Sequence, residues 1–418
     1  MKHGLSRFLI AGLCSFALAS CGTYDGQDKA AREELVEGKL SSLSIEKMPD
    51  KVVYDEGEYF DDAGLQIKAH FSSNKSYIVS RDAYTYPYEK LSKDVSSVRV
   101  SYRTAYVDVP ITVKEFAPAN SYIYEAEGDD IRLGDACGTS GARISNVEEG
   151  GNASGSYLGG LNGRVFNITV KVDASEAKKA GVYLALGLDA DIALEEEYEM
   201  FVNGVAVEIN EGTIVGEGAT SFQEVMLGKI DLIKGANTIV VSHMHRGGKP
   251  GNVDYLKLAS DASLSLLDDL EESKVECFPT ENPNATYTTT QSDYRDETGN
   301  SPSGGHACGG CGDGENTSLT VVVNASAAGK YAWYMRQGLQ PANYYTSSYT
   351  VKINDATIST SGAYADKTTG SNYTDWCDIY WGEIELQEGE NTISVVKTSG
   401  HTGCNMDYFA FYGAGSIE

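Results

Sequence analysis

A short phrase recurs in this chain, as Asn252-Val-Asp-Tyr-Leu-Lys-Leu258 and as Asn405-Met-Asp-Tyr-Phe-Ala-Phe411. A second matching phrase precedes each copy: Gly235-Ala-Asn-Thr-Ile239 in one case, Gly389-Glu-Asn-Thr-Ile393 in the other. Val172-Asp-Ala-Ser pairs with Val323-Asn-Ala-Ser, and Val202-Asn-Gly with Ile353-Asn-Asp. Matches held in order at a nearly constant offset, about 151 to 154 residues, mark one structural unit used twice. The chain must therefore hold two copies of one fold, each about 140 residues long. Duplication of a unit without a catalytic signature points to binding.

The strand reading follows from local pattern. Gln66-Ile-Lys-Ala-His-Phe71, Val98-Arg-Val-Ser-Tyr102 and Val107-Asp-Val-Pro-Ile-Thr-Val113 alternate apolar and polar residues, as half-buried antiparallel strands do. Nine prolines, 45 glycines and 27 tyrosines favour strands and tight turns over helices. The formal net charge of −27 argues against nucleic acid or an anionic membrane surface as partner.

The N-terminus reads as an export signal, residues 1–20. Lys2, His3 and Arg7 form a charged start, and Phe8 to Leu18 an apolar run too short to span a bilayer. It ends on Leu18-Ala-Ser-Cys21, which resembles the lipobox of bacterial lipoproteins. That resemblance implies lipidation of Cys21, with two acyl chains sufficient for stable anchoring. The expected location is the cell membrane, facing outside the cytoplasm, with the lipid as sole membrane contact. Residues 21–40 are polar and read as a tether, with a short helix over Lys29 to Val36.

Residues 41–116 form a first domain. Its stretch Val53-Tyr-Asp-Glu-Gly-Glu-Tyr-Phe-Asp-Asp-Ala-Gly-Leu65 resembles a signature of bacterial Ig-like domains and implies a small β-sandwich used as a spacer. Residues 119–260 are the first repeat, 261–275 an acidic, loop-like linker, and 276–416 the second repeat. The fold class expected is all-β: tandem β-sandwiches, an Ig-like spacer followed by two jelly-roll-type modules.

The first repeat opens on Tyr122-Ile-Tyr-Glu-Ala-Glu127 and continues through a Gly/Ser-rich segment, Gly150 to Gly163. With the ordered phrases above, it is similar to carbohydrate-binding modules of families 6 and 35, which are jelly-roll β-sandwiches. The resemblance implies a structural calcium between first and last strands. Glu125 and Glu127, two apart on a strand, point to one face, and Asp254 would supply a third carboxylate. The alternative is a solvated strand face. The second repeat keeps Asp407 but reads Val275-Glu-Cys-Phe278 where the two glutamates should stand, which puts calcium there in doubt.

The resemblance also implies a sugar site in the loops at one end of the sandwich. Asn252 and Asn405 take the place of an amide that bonds sugar hydroxyls. Tyr157 and Phe222 take the place of aromatic faces for the C–H side of a pyranose. In the second module Trp376 falls opposite Phe222 and Cys308 opposite Tyr157. Tyr344, Tyr345 and Trp381 are further aromatic candidates or core residues. His243, His245 and Arg246 precede Asn252 in a Gly/Pro loop and read either an acidic sugar or only solvent.

Cys277, Cys308, Cys311, Cys377 and Cys404 crowd the second repeat, whereas the first has only Cys137. In an exported chain disulfides are the default, though Gly305-His-Ala-Cys-Gly-Gly-Cys-Gly312 with Cys377 and Cys404 also fits zinc. No G-x-S-x-G, H-E-x-x-H or P-loop occurs, and the domains leave no segment of catalytic size. The sequence therefore points to a lipid-anchored surface protein that is not an enzyme. It would bind polysaccharide or glycoconjugate, on its own account or for a partner enzyme or transporter. The rivals are an adhesin or scaffold binding protein partners, and an unusual glycoside hydrolase.

Overall fold

The structure, a computed structural model, describes residues 38–134, 146–162, 165–243, 248–279, 281–288, 295–296, 308–311, 317–338, 349–358, 376–397 and 404–418. The export signal, Cys21, the tether helix, Cys137, His245, Arg246, Tyr344 and Tyr345 lie outside the described residues. Two compact units divide the chain, Met1–Ala117 and Pro118–Glu418.

The first unit is built from β1 (Leu40–Lys47), β2 (Val53–Asp55), β3 (Gln66–Phe71), β4 (Ser76–Ile78), β5 (Ser97–Tyr102), β6 (Ala105–Pro110) and β7 (Thr112–Lys114). They pair as β1-β3-β4, as β5-β6, and as β2 parallel to β7. Ile67, Ala69, Val100 and Val109, alternate residues on their strands, are fully buried in its core. The aromatic–acidic–glycine signature has a local physical role. The Tyr54 hydroxyl donates toward the carbonyls of Lys51 (2.9 Å) and Asp61 (3.1 Å) and accepts from the Asp61 N–H (3.2 Å). Phe60 fills the core beside it. Gly64, at φ +78°, passes so close to Asp50 that a Cβ would lie 2.3 Å from its carboxylate.

The second unit holds both repeats. The first repeat comprises β8 (Asn120–Glu125), β9 (Arg132–Gly134), β10 (Asn146–Glu149), β11 (Ser156–Gly159), β12 (Phe166–Ala174), β13 (Lys178–Gly187), β14 (Ile192–Ala193), β15 (Tyr198–Val202), β16 (Val205–Val207), β17 (Thr213–Ile214), β18 (Phe222–Leu232), β19 (Gly235–His243), β20 (Asn252–Ser260) and β21 (Leu264–Leu266). One sheet runs β10-β11-β20-β13-β18 with β8 beside β20. The facing sheet runs β16-β15-β19-β12-β21 with β9 beside β12. Between them lies a core of Ile168, Val170, Val182, Leu184, Val241 and Leu256, among others.

The second repeat comprises β22 (Leu270–Glu276), β23 (Ala285–Thr288), β24 (Arg295–Asp296), β25 (Cys308–Cys311), β26 (Ser318–Ala325), β27 (Gly329–Gly338), β28 (Tyr349–Ile353), β29 (Ala356–Ile358), β30 (Trp376–Leu386), β31 (Gly389–Lys397) and β32 (Cys404–Ala414). Its sheets run β24-β25-β32-β27-β30 with β22 beside β32, and β23-β26-β31-β28-β29. The pairing order reproduces that of the first repeat, except that β21 and the β14–β17 pair have no strand counterpart among the described residues. The fold is thus all-β with tandem sandwiches, as the sequence led us to expect.

The segment 261–275 departs from expectation. It is not a loose linker: β21 closes the first module against β12, and β22 opens the second against β32. Leu267, Asp268 and Asp269 alone join them, with Asp269 at φ +56°.

The modules are packed together. Alternate residues of β12 turn away from their own core, yet Asn167, Thr169 and Lys171 are all buried. The Asn167 amide donates to the Asp378 carbonyl (2.9 Å), the Thr169 hydroxyl meets that of Tyr334, and Lys171 Nζ donates to the Lys330 carbonyl (2.9 Å). Phe201 packs on Tyr380 at 5.4 Å, and Val165, Phe201 and Val240 belong to the second module's apolar cluster. At the centre Arg132 reaches Asp378 (3.2 Å) and lies 3.7 Å over the Tyr334 ring. Burial alone would raise the Asp378 carboxyl; Arg336, then Arg132 and Lys274, outweigh it and hold it below the usual range.

Candidate functional site

Gly187 ends β13 at one rim of the first sandwich. Its neighbours across the two flanking strands are Phe222 on β18 and Asn252 on β20. A side chain at Gly187 would collide with the Ala219 carbonyl at 2.2 Å, so glycine lets the rim close around this point. Phe222 and Asn252 are both half-buried. Asn252 Nδ2 donates to the Ala219 carbonyl at 2.9 Å, and its Oδ1 accepts no hydrogen bond among the described residues.

The Gly/Ser-rich segment holds Phe222 in place. Gly151, at φ +65°, brings the loop against the Thr220 carbonyl, where a Cβ would stand 1.9 Å away. Asn152 then brackets Phe222, donating to its carbonyl (2.9 Å) and accepting from its N–H (2.6 Å). Tyr157 packs on the Phe222 ring, centroids 4.9 Å apart. Its own ring is only 3 % exposed and its hydroxyl donates to Glu148 at 2.9 Å. Tyr157 is therefore a support for Phe222 rather than an open aromatic platform. β10, whose Glu148 opposes Tyr157 across the β10–β11 pair, accounts for the difference.

The counterpart rim of the second module has Gly338 between Trp376 and Asn405. Both are buried, at 2 % and 4 % exposure, so neither presents a surface to a ligand as it stands. Cys308 opposes Met406 as Leu158 opposes Val253, so it takes the place of Leu158 and not of Tyr157. Trp381 is core, its indole N–H donating to Gln337 at 3.0 Å. His243 is also core: it lies on β19, fully buried, 2.8 Å from Glu197 and stacked on Phe166.

The three carboxylates of the expected calcium site do come together. Tyr255 on β20 pairs with Glu125 on β8, and the Ala126 N–H donates to the Asp254 carbonyl. The Ser154 hydroxyl donates to Glu125 (2.8 Å) and Asp254 (3.1 Å), and its N–H to Asp254 (2.9 Å). Glu127 Oε2 is buried with no hydrogen-bond partner among the described residues. Burial, then Glu125 and Asp254, raises the Glu127 carboxyl. Among the described residues no three His, Cys, Asp or Glu side chains form a metal cage as they stand. Ser154 occupies the point between Glu125 and Asp254. An all-oxygen donor set with an orphaned carboxylate oxygen nevertheless fits a hard cation such as Ca²⁺.

In the second module Glu276 holds the register position of Glu125, and Phe278 that of Glu127. Glu281, from the turn after β22, is close enough to act on Glu276 together with Asp407. Sequence reasoning missed Glu281 because it lies outside any strand.

Of the cysteines, Cys377 is disulfide-bonded, whereas Cys277 is buried and outside a disulfide. Cys311 and Cys404 are direct neighbours across β25 and β32; their side chains, with that of Cys308, lie outside the description.

No protein-family profile and no curated protein matches the chain. Among solved structures it is similar to a native family 35 carbohydrate-binding module from Clostridium thermocellum, at 25 % identity over 34 % of this chain and 99 % of that one, TM-score 0.26. It is similar to a family 35 module from Paenibacillus barcinonensis, at 19 % identity over 33 % and 98 %, TM-score 0.26. A third likeness is to a β-(1,4)-mannanase of Podospora anserina that carries such a module, at 20 % identity over 36 % of this chain and 29 % of that one, TM-score 0.25.

Proposed function

We propose that this chain binds saccharide at the rim of its first sandwich, as a non-catalytic, lipid-anchored surface protein that captures polysaccharide or glycoconjugate. The observation that carries this reading is the placement of Phe222 and Asn252 on either side of Gly187. A half-buried aromatic beside an amide with a free acceptor suits a pyranose, whose C–H face stacks while its hydroxyls donate. Tyr157 and Asn152 fix the aromatic so that little ordering remains for the ligand to impose. Calcium at Glu125, Glu127 and Asp254 would tie the first strand to the last and neutralise three gathered charges. The second module, with Trp376 and Asn405 buried, acts as a structural partner of the first.

A protein-binding reading would call for a broad apolar sheet face. The open sheet face of the first module instead carries Lys257 paired with Glu224 and a Tyr255 hydroxyl bonded to the same carboxylate (3.1 Å).

The test is a glycan array on the full chain, followed by titration of the best ligand into Phe222→Ala and Asn252→Ala. Each should lose about 1–3 kcal/mol of binding, the range for an unpaired buried polar group or lost stacking area. Wild-type affinity in both variants would place the ligand elsewhere. For calcium, EDTA should lower the melting temperature, because a ligand of the native state stabilises by about 2.7 kcal/mol at a hundred times its Kd. Identical melts of metal-loaded and chelated protein would reject that site.

A further inference from the structure

A cavity of about 340 Å³ lies where the first module, the connecting turn and the second module meet. Pockets for small ligands run from about 300 to 1,000 Å³ and gather at domain junctions. One wall is apolar, formed by Leu266, Leu267 and Leu270 with Tyr412 of the second module. The lining also carries Asp129, Asp130 and Glu272 with Arg132.

The wall chemistry selects the ligand. Four of the five Arg132 N–H donors are committed: Nε and Nη2 donate to Glu272 (3.2 and 2.8 Å), Nη2 to Asp378 (3.2 Å) and Nη1 to Asn167 (3.1 Å). A single Nη1–H remains, too few to hold a carboxylate of a ligand in a bidentate pair. Asp129 and Asp130 are exposed and, among the described residues, enter no hydrogen bond or ion pair. Three carboxylates against one guanidinium leave a formal balance of −2 (3 acids, 1 base). Apart from this Arg132 N–H and the Tyr412 hydroxyl, the side chains offer acceptors only. A fitting ligand is small, rich in donors, cationic, and flat and apolar on one side.

We propose that this cavity is a second saccharide site, selective for an amino sugar, with the ammonium toward Asp129 and Asp130 and the C–H face on the leucine wall. The choice of a sugar rests on the saccharide-binding reading above; the choice of a cation rests on the cavity alone. The site needs both modules, since Tyr412 and Glu272 belong to the second and Asp129 to the first.

Calorimetric titration of the full chain with glucosamine, glucose and glucuronic acid tests it. Glucosamine should bind, glucose about tenfold or more weakly, and glucuronic acid not at all. Asp129→Asn combined with Asp130→Asn should weaken glucosamine at least about tenfold without moving the melting temperature, since both residues are exposed. Leu267→Ser should weaken all binding there, and Phe222→Ala should leave it unchanged. The proposal is overturned by absence of glucosamine binding, by equal binding of the three sugars, or by a double variant that titrates like wild type. Loss of glucosamine binding in Phe222→Ala alone would also overturn it, assigning the ligand to the rim. Glucosamine binding that depends on the aspartates, with no glycan found at Phe222, would sustain the cavity while removing the rim reading.

Discussion

Glu125 and Glu276 occupy one register position in the two modules, and the surroundings of Glu276 disfavour its charge. Burial, then Asp407 and Glu281, pushes the Glu276 carboxyl up to about 7, against a smaller opposing pull from Lys274. Its ordinary value is 4.5. Between these values the folded state holds the proton and the unfolded chain does not. The contribution of this group is therefore fully present below about 4.5 and is lost as pH rises through 7. Glu276→Gln removes the dependence. Relative to wild type it should gain about 1–2 kcal/mol between pH 5 and pH 8, a figure discounted because the group is partly solvated. Denaturant titrations at the two pH values measure it, and a pH-independent difference would mean that Glu276 stays ionised. At this scale the sequence was informative where strand period two applied, as for Glu125, Glu127 and Asp254. It was silent where a residue arrives from a turn, as Glu281 does, or is covered by a neighbouring strand, as Tyr157 is by β10.

The repeated Gly-x-Asn-Thr-Ile phrases turn out to be turn locks. Between β18 and β19, Asn237 donates to the carbonyls of Ile233 (2.8 Å) and Gly235 (2.7 Å) and accepts from the Ile233 N–H (2.9 Å). Asn391 does the same with Gln387 and Gly389 between β30 and β31. Gly235 and Gly389 both sit near φ +90°, a conformation that disfavours side chains. A second asparagine, Asn203 in one module and Asn354 in the other, accepts from the next residue, Thr238 or Thr392. The Gly-x-Asn-Thr-Ile phrase recurs because this hairpin needs a buried amide at one point. Asn237→Ala leaves its buried turn groups unpaired and should cost about 2–4 kcal/mol. Asn391→Ala should cost a similar amount, and Asn237→Asp at least as much as Asn237→Ala, since its buried carboxylate would face the two carbonyls to which the amide donates. Equal stability of Asn237→Ala and wild type in urea would show that water replaces the amide. The existence of these hairpins was legible from the repeat. The conversion of the acidic 261–275 stretch into β21 and β22 was overlooked: Ala262, Leu264 and Leu266 do alternate with period two, but the acidic run Asp268 to Glu272 beside them reads as a linker.

Face-to-face packing of the modules makes a stack of four sheets, and the contact is heterologous: the β12 sheet of one copy meets the β27 sheet of the next. Such contacts extend indefinitely unless an end is capped. By register Glu224 and Tyr183 of the first module correspond to Asp378 and Tyr334 of the second. In the second module those residues receive Arg132; in the first, Lys257 pairs with Glu224 and lies 4.4 Å over Tyr183. The open face is thus satisfied by its own lysine. The unbroken apolar run Tyr331-Ala-Trp-Tyr-Met335 was the sequence signal for burial on both faces of β27. Nothing comparable marked β12, whose Asn167, Thr169 and Lys171 look solvent-facing. Lys171 carries the cost of this packing. Burial, with Lys330 adding to it and Glu383 opposing, pulls its ammonium down from 10.5 to about 8. The unfolded chain then binds more protons between these values. The unfavourable contribution is full below about 8 and is relieved as pH rises toward 10.5. Lys171→Met should therefore stabilise the protein at pH 7 by about 1–3 kcal/mol, the protonation cost less the lost hydrogen bond to the Lys330 carbonyl. The gain should shrink between pH 8 and pH 10. Asp378→Asn should act in the opposite sense, by about 3–5 kcal/mol, because it leaves Arg132 and Arg336 buried without their shared carboxylate. If Lys171→Met instead loses stability equally at both pH values, the ammonium is a satisfied member of the interface, and the modules are held by its charge rather than in spite of it.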